Sequence, residues 1–251
     1  MNGLHVGVAG WSIPRAVVDA FPSEGSALQR YAAVFDCAEI NSSFYKPHQP
    51  ETYARWAASV GEDFRFAVKL PKAITHEARL VGCEALMERF ADEAGALGSK
   101  LGCVLVQLPP SQVLDLPVAH AALASLRARF DCLLACEARH GTWFGEDATA
   151  LLREFGVTRV IADPAVGVPG PYIATAPTAY VRLHGSPRIY WSSYEPERLA
   201  QVREWLGTQP SAWCIFDNTA SGAAMANALD LRASLQQPSI GFCRTMADGL
   251  M

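Results

Sequence analysis

Ala179-Tyr180-Val181-Arg182-Leu183-His184 is the stretch on which the reading of this chain turns. It is a short apolar run that ends in charge, and side chains on a β-strand alternate between two faces. Val181 and Leu183 share one face, while Tyr180, Arg182 and His184 share the other. Polar residues collected on one face, near the C-terminal end of a strand, suit the inner wall of a barrel whose outside is covered by helices.

Runs of this kind recur along the chain, at residues 5–9, 37–40, 65–69, 103–107, 133–137, 158–162, 179–183 and 212–216. Their length and apolar character fit buried parallel strands. Between most of them the apolar residues take helical spacing, as in Leu28, Tyr31 and Phe35, Leu123, Leu126 and Phe130, or Leu199, Val202 and Leu206. Alternation of strand and helix predicts βα units around a parallel sheet. The 251 residues match the usual size of an eight-stranded α/β barrel, which is roughly 250 residues. The expectation is an α/β protein with one domain over residues 1–251, a TIM-like (β/α)8 barrel. The Pro- and Gly-rich segment 164–177 predicts a shortened or missing helix between the sixth and seventh strands. An open doubly wound sheet would carry Gly-x-Gly-x-x-Gly after its first strand. Gly7, Gly10 and Trp11 do not have that spacing, and no Gly-Lys-Ser/Thr phosphate loop is present.

Half of the residues are hydrophobic, which is enough for a large core. Every apolar run is interrupted well short of the ~18 residues a membrane span needs, and the first residues, Met1 to His5, lack the basic flank and apolar stretch of a signal peptide. Seven cysteines, an odd number without a Cys-x-x-Cys pair, read as free thiols in a reducing, cytoplasmic setting. The formal charge is −4 and no Lys/Arg cluster occurs, so extended nucleic-acid binding is disfavoured.

Applied to the other strands, the alternation rule places Cys37, Glu39 and Asn41 opposite Ala38 and Ile40. It sets Ala67 and Lys69 against Phe66 and Val68, and Ala135, Glu137 and Arg139 against Leu134 and Cys136. Gln107, Asp163, Asp217 and Asn218 close their own runs at a comparable height. Barrel active sites lie at the C-terminal ends of the strands. Charges turned inward there must be paired, and Glu39 and Glu137 can be matched by Lys69, Arg139 and Arg182, with His184 adjustable. The plain alternative is a salt-bridge network that only closes the mouth. Varied polar residues arriving from several strands read instead as a site.

These residues also carry a resemblance. Gly10-Trp11-Ser12, Glu39-Ile40-Asn41-Ser42-Ser43-Phe44-Tyr45, Phe66-Ala67-Val68-Lys69 with Thr75-His76, and Gln107-Leu108-Pro109-Pro110 occur in order. Glu137-Ala138-Arg139-His140 with Trp143, Tyr180-Val181-Arg182-Leu183-His184-Gly185, Phe216-Asp217-Asn218-Thr219 and Ala226-Asn227-Ala228 follow. Together they resemble the YecE-like family, domain of unknown function 72, over nearly the whole chain. The resemblance implies a TIM-like barrel and brings no established activity. Two departures stand out. Ser12-Ile13-Pro14-Arg15 replaces the Trp-Lys/Arg-Gly stretch common in relatives, and Phe216-Asp217-Asn218 stands where many relatives have Phe-Asn-Asn, which adds a carboxylate.

The functional expectation is an enzyme (a hydrolase, lyase or isomerase) doing acid/base chemistry on a small polar anion, phosphorylated or carboxylated. Glu39 and Glu137 are its proton-transfer candidates. Asn41, Lys69, Gln107, Arg139, His140, Arg182, His184, Asp217, Asn218 and Thr219 are its substrate-binding candidates. The loops 184–188 and 218–222 follow the seventh and eighth strands, where barrels often bind phosphate. No cofactor or metal ligand set is expected. One alternative is a metal-dependent nuclease or hydrolase, with a divalent ion held by Glu39, Glu137, His184 and Asp217. Another is a barrel that binds a ligand without turnover. A two-carboxylate glycosidase fits poorly, because the fourth and seventh strands end in Gln107 and His184. No Gly-x-Ser-x-Gly elbow supports a serine nucleophile.

Overall fold

The computed structural model describes residues 3–165 and 172–236. Its strands are β1 (Leu4–Ala9), β2 (Cys37–Ile40), β3 (Arg65–Lys69), β4 (Leu101–Gln107), β5 (Leu133–Glu137), β6 (Val157–Arg159), β7 (Ile161–Asp163), β8 (Thr178–Leu183) and β9 (Ser211–Phe216). They form one parallel sheet in the order β6-β5-β4-β3-β2-β1-β9-β8-β7. The single strand expected over 158–162 is divided at Val160. β6 pairs with β5 and β7 pairs with β8, while the Val160 amide still donates to the Cys136 carbonyl at 2.9 Å. The two ends of the sheet are thus consecutive pieces of chain. Closing a barrel requires the strands to stagger, and here one extended segment serves its two neighbours in turn. Eight strand positions result.

Helices α1 (Ala27–Ala32), α2 (Ser42–Tyr45), α3 (Pro50–Ala58), α4 (Glu84–Gly95), α5 (Leu116–Arg127), α6 (Glu146–Glu154), α7 (Pro196–Gly207) and α8 (Ala223–Gln236) lie between the strands and after the last. Local sequence starts several of them. Ser26 and Gln29 make a reciprocal capping box on α1, Asp115 caps α5, and proline occupies the first turn of α3, α5 and α7. Between β7 and β8, residues 164–165 and 172–177 form no helix, and residues 166–171 lie outside the described residues. No helix among the described residues is long and apolar enough to cross a membrane.

The alternation rule holds around the ring. Ala38, Ile40, Phe66, Val68, Leu134, Cys136, Val181 and Leu183 pack into the large cluster beneath the helices. Cys37, Ala67, Cys103, Ala135, Tyr180 and Trp213 belong to a separate cluster inside the barrel. The small residues in it make room for the Tyr180 and Trp213 rings, stacked at 5.9 Å with 12° between planes. A Cβ at Gly102 would come within 2.8 Å of the Trp213 ring, so only glycine fits below it. This packed floor forces whatever is polar to the upper end.

Candidate functional site

Arg182 stands on the floor, at the C-terminal half of β8, with no exposed surface. Its Nε and Nη2 donate to Glu39 at 3.0 and 2.6 Å, a fork-to-fork pair. Nη1 donates to Glu137 Oε2 at 2.5 Å, and Nη2 also reaches Asp217 Oδ2 at 2.9 Å. The Tyr180 hydroxyl donates to Glu39 Oε2 at 2.9 Å. Carboxylates from β2, β5 and the end of β9 therefore converge on one guanidinium. Removed from water, each depends on the others.

Above this layer the contacts open toward the mouth. Glu137 Oε1 accepts from Gln107 Nε2 at 2.8 Å and from Arg139 Nε and Nη2 at 2.9 and 2.7 Å. His184 lies between two carboxylates: Nδ1 is 3.0 Å from Asp217 Oδ2, and Nε2 is 3.3 Å from Glu137 Oε1. The second approach lacks hydrogen-bonding geometry, so the buried Nε2 has no hydrogen-bond partner. Asn41 Nδ2 donates to Asp217 Oδ1 at 3.2 Å, and its buried Oδ1 is likewise without a partner. Such atoms are rare in proteins and concentrate at functional positions.

Lys69 ends β3 on the same level. It is buried, with Nζ 4.1 Å from the centre of the Phe44 ring. Ser43 secures the backbone beneath it by donating to the Ile40 and Lys69 carbonyls at 3.0 and 2.7 Å. Among the described residues no carboxylate lies within ion-pair distance of this ammonium.

Electrostatics follow from this geometry. Burial would raise the Glu137 carboxyl, but Arg182, His184 and Arg139 overcome it and hold the group well below the usual range. Asp217 is lowered in the same way by Arg182 and His184. Burial lowers the His184 imidazole, yet Glu137 and the bond to Asp217 prevail and leave it raised. For Lys69 burial is the largest cause and Arg182 the next, and the amine is pushed down to about 8. Three carboxylates thus face two arginines, with Lys69 and His184 as the cations that can lose their protons.

Glu39, Glu137, Asn41, Lys69, Gln107, Arg139, Arg182, His184 and Asp217 come together as described. His140 lies beside them but turns to Thr142, whose amide donates to Nδ1 at 3.3 Å. Asn218 points to the other side of β9, where Nδ2 donates to Ser192 O at 2.9 Å and Asn227 Oδ1 at 3.0 Å. Thr219 is exposed on the following turn. Glu137, His184 and Asp217 are wrapped around Arg182, and no group of three or more His, Cys, Asp or Glu among the described residues is arranged to hold a metal ion. Of the aromatic residues in the motifs, Trp143 is buried and donates to Gln112 O at 2.9 Å. Trp11 packs edge-on against Trp56 and Phe66. Residue-by-residue reading missed the Tyr180 hydroxyl on Glu39 and the Phe44 ring under Lys69. Tyr180 lies on the inward face of its run, which was its available signal. Phe44 sits in a one-turn helix with no periodicity to read.

The family model described as protein of unknown function DUF72 matches residues 5–247. The UPF0759 protein YecE of Escherichia coli strain K12 is 34% identical over 166 residues, or 64% of this chain and 59% of that protein. The chain therefore spans about 59% of the length of the curated relative it matches. A DUF72 family protein from Thermotoga maritima has a solved structure that is 27% identical, with a TM-score of 0.78 over 94% of this chain and 100% of that one. One from Enterococcus faecalis is 23% identical, with a TM-score of 0.77 over 98% and 100%. A sugar phosphate isomerase/epimerase from Parabacteroides distasonis, 9% identical, matches with a TM-score of 0.54 over 95% and 98%, a likeness of fold alone.

Proposed function

The chain belongs to the DUF72 family, and from the geometry of its barrel mouth we propose that it is an enzyme moving protons on a small anionic molecule, carboxylated or phosphorylated. The observation that carries this reading is His184, an imidazole held between Asp217 and Glu137 with Nε2 left without a hydrogen-bond partner. One ring nitrogen fixed by a carboxylate and the other unsatisfied is the usual arrangement of a general acid/base. Against burial, Glu137 and the bond to Asp217 raise the His184 pKa, which favours the protonated ring. Arg139 and Lys69 border the same space and supply charge for an anion, and Asn41 Oδ1 supplies an acceptor for a hydroxyl.

The two glutamates differ in placement. Both oxygens of Glu39 are held at depth by Arg182 and Tyr180, which suits orienting Arg182. Glu137 Oε1 faces His184, Arg139 and Gln107 at the mouth, so proton transfer falls to Glu137 together with His184. Glu137 Oε1 and His184 Nε2 lie 3.3 Å apart.

Inorganic phosphate and citrate are the first probes. Either should raise the melting temperature of the protein, more at acidic than at alkaline pH, because protonated His184 adds to the attraction. A library of sugar phosphates and hydroxy or oxo acids, followed by NMR for new products, should give turnover that Glu137→Gln abolishes with its circular dichroism unchanged. Binding without turnover across that library would favour a binding barrel. No anion response at either pH would overturn the proposal.

A further inference from the structure

Lys69 has a chemistry that anion binding alone does not use. We infer that Lys69 is a nucleophile that forms an imine with an aldehyde or ketone carrying a carboxylate or phosphate; this rests on the reading of the mouth as an anion site and narrows its substrate class. A lysine that serves only as a positive charge is best left in water or beside carboxylates, where it stays protonated. Lys69 is neither. It is buried, lies against the Phe44 ring at 4.1 Å, and has no carboxylate within ion-pair distance among the described residues. It nevertheless keeps a small exposed surface, 7% of the residue.

Burial without an ion-paired carboxylate favours the neutral amine, the form that attacks carbonyls, against the ring's attraction for the ammonium. Burial and Arg182 push its pKa down to about 8, which brings the free amine within reach near neutral pH. The other three lysines lack this environment. Lys46 is exposed, Lys72 pairs with Glu77 at 3.1 Å, and Lys100 is bonded to Gly61 O at 2.5 Å and Glu62 at 3.4 Å.

The step balances without a cofactor. The amine lone pair adds to the carbonyl carbon, and the π electrons pass to oxygen. One proton passes from nitrogen to the oxygen, a second from solvent or a nearby acid turns the hydroxyl into a leaving water, and the nitrogen lone pair expels it to leave a protonated C=N bond. In the protonated imine the adjacent carbon is acidified. Its proton can pass to Glu137 or His184, while the C–H pair flows to the imine nitrogen as an enamine. The acid/base pair and the amine then serve one reaction class, proton abstraction next to a carbonyl. Arg139 holds the substrate's anionic end.

The test uses glyoxylate, the smallest aldehyde bearing a carboxylate, with sodium cyanoborohydride and the full-length protein at about pH 7.5. Hydride reduces the imine to a stable secondary amine, which peptide mass mapping then locates. Lys69 should be labelled at least ~10-fold faster than Lys46 or Lys72, and excess inorganic phosphate should slow labelling at Lys69 alone. Labelling of Lys69 no faster than that of Lys46 and Lys72 overturns the inference. Lys69→Arg should lose the label at this position with its circular dichroism unchanged. A phosphate response in wild type without selective labelling sinks the imine and leaves the anion site standing. Selective labelling without any phosphate response does the reverse.

Discussion

Arg182 and Lys69 are both buried cations at the same end of the barrel, one at its centre and the other at its edge. Arg182 spends its donors on Glu39, Glu137 and Asp217, whereas Lys69 rests on an aromatic ring. Burial of charge is therefore not one phenomenon here. At the centre, three anions and a planar five-donor cation satisfy one another, and the result is a rigid polar layer on the apolar floor. At the edge, burial and Arg182 push the amine's pKa down to about 8 against the ring's attraction for the ammonium. The centre is a closed network of paired charges, and the edge holds a cation with no carboxylate partner among the described residues.

Substitution by methionine should separate the two most sharply. Arg182→Met leaves three carboxylates buried around an apolar chain and should cost about 3–5 kcal/mol, the range for breaking a buried ion pair. Lys69→Met replaces a poorly solvated cation by an apolar chain of similar length and should be near neutral in stability, or slightly stabilising. Urea unfolding of both variants measures the gap. If the two lose equal stability, the distinction between centre and edge is broken. If Arg182→Met is too unstable to isolate, Arg182→Lys gives a milder version, since a point charge cannot reproduce the fork to Glu39.

His184 lies where the two regions meet, and its effect should depend on pH. Its folded-state pKa is raised, so the stability linked to its protonation is fully present below the ordinary value near 6.5 and is lost as pH rises through the folded value. Glu137 and Asp217 are lowered, so their contribution is present above the ordinary carboxylate range and lost only in acid. His184→Gln should then cost about 1.5–3 kcal/mol at slightly acidic pH, where bonds to a charged partner are lost, and less at alkaline pH. Chemical denaturation of both proteins across this range measures the difference. A gap that widens with pH would mean that His184 is neutral in the folded protein and belongs to neither region's charge balance.

Most of this mouth was legible before any coordinates, for a local reason. Alternation is a property of each strand by itself, so Glu39, Lys69, Glu137, Arg182 and His184 could be assigned to the inner face one run at a time. What could not be read depends on relations between strands. The division at Val160 follows from the stagger of a closed ring, and nothing in residues 158–162 announces it. The link from Tyr180 to Glu39 joins residues 141 apart in the chain. Asn218 illustrates a different failure: grouping it with Asp217 as a strand-end polar residue disregarded the very alternation that placed the others. Phe216 faces the helices, and Asn218, two residues on, does the same.

That position offers the smallest and most discriminating test of the inside/outside distinction. Asn218 ties the end of β9 to the loop after β8 and to Asn227 of α8, through Ser192 O and Asn227 Oδ1. Asn218→Ala should cost about 1 kcal/mol, the net value of ordinary hydrogen bonds, and calorimetry would register it. The response to phosphate should be unchanged, because no atom of this side chain is bonded to a group of the mouth. If the anion instead binds in the turn that follows β9, as the loop 218–222 first suggested, then Asn218→Ala should weaken the phosphate response as well as the fold. The two effects are separable in one titration: a lower melting temperature with the same phosphate increment keeps the anion inside the barrel, and a lost increment moves it to the turn.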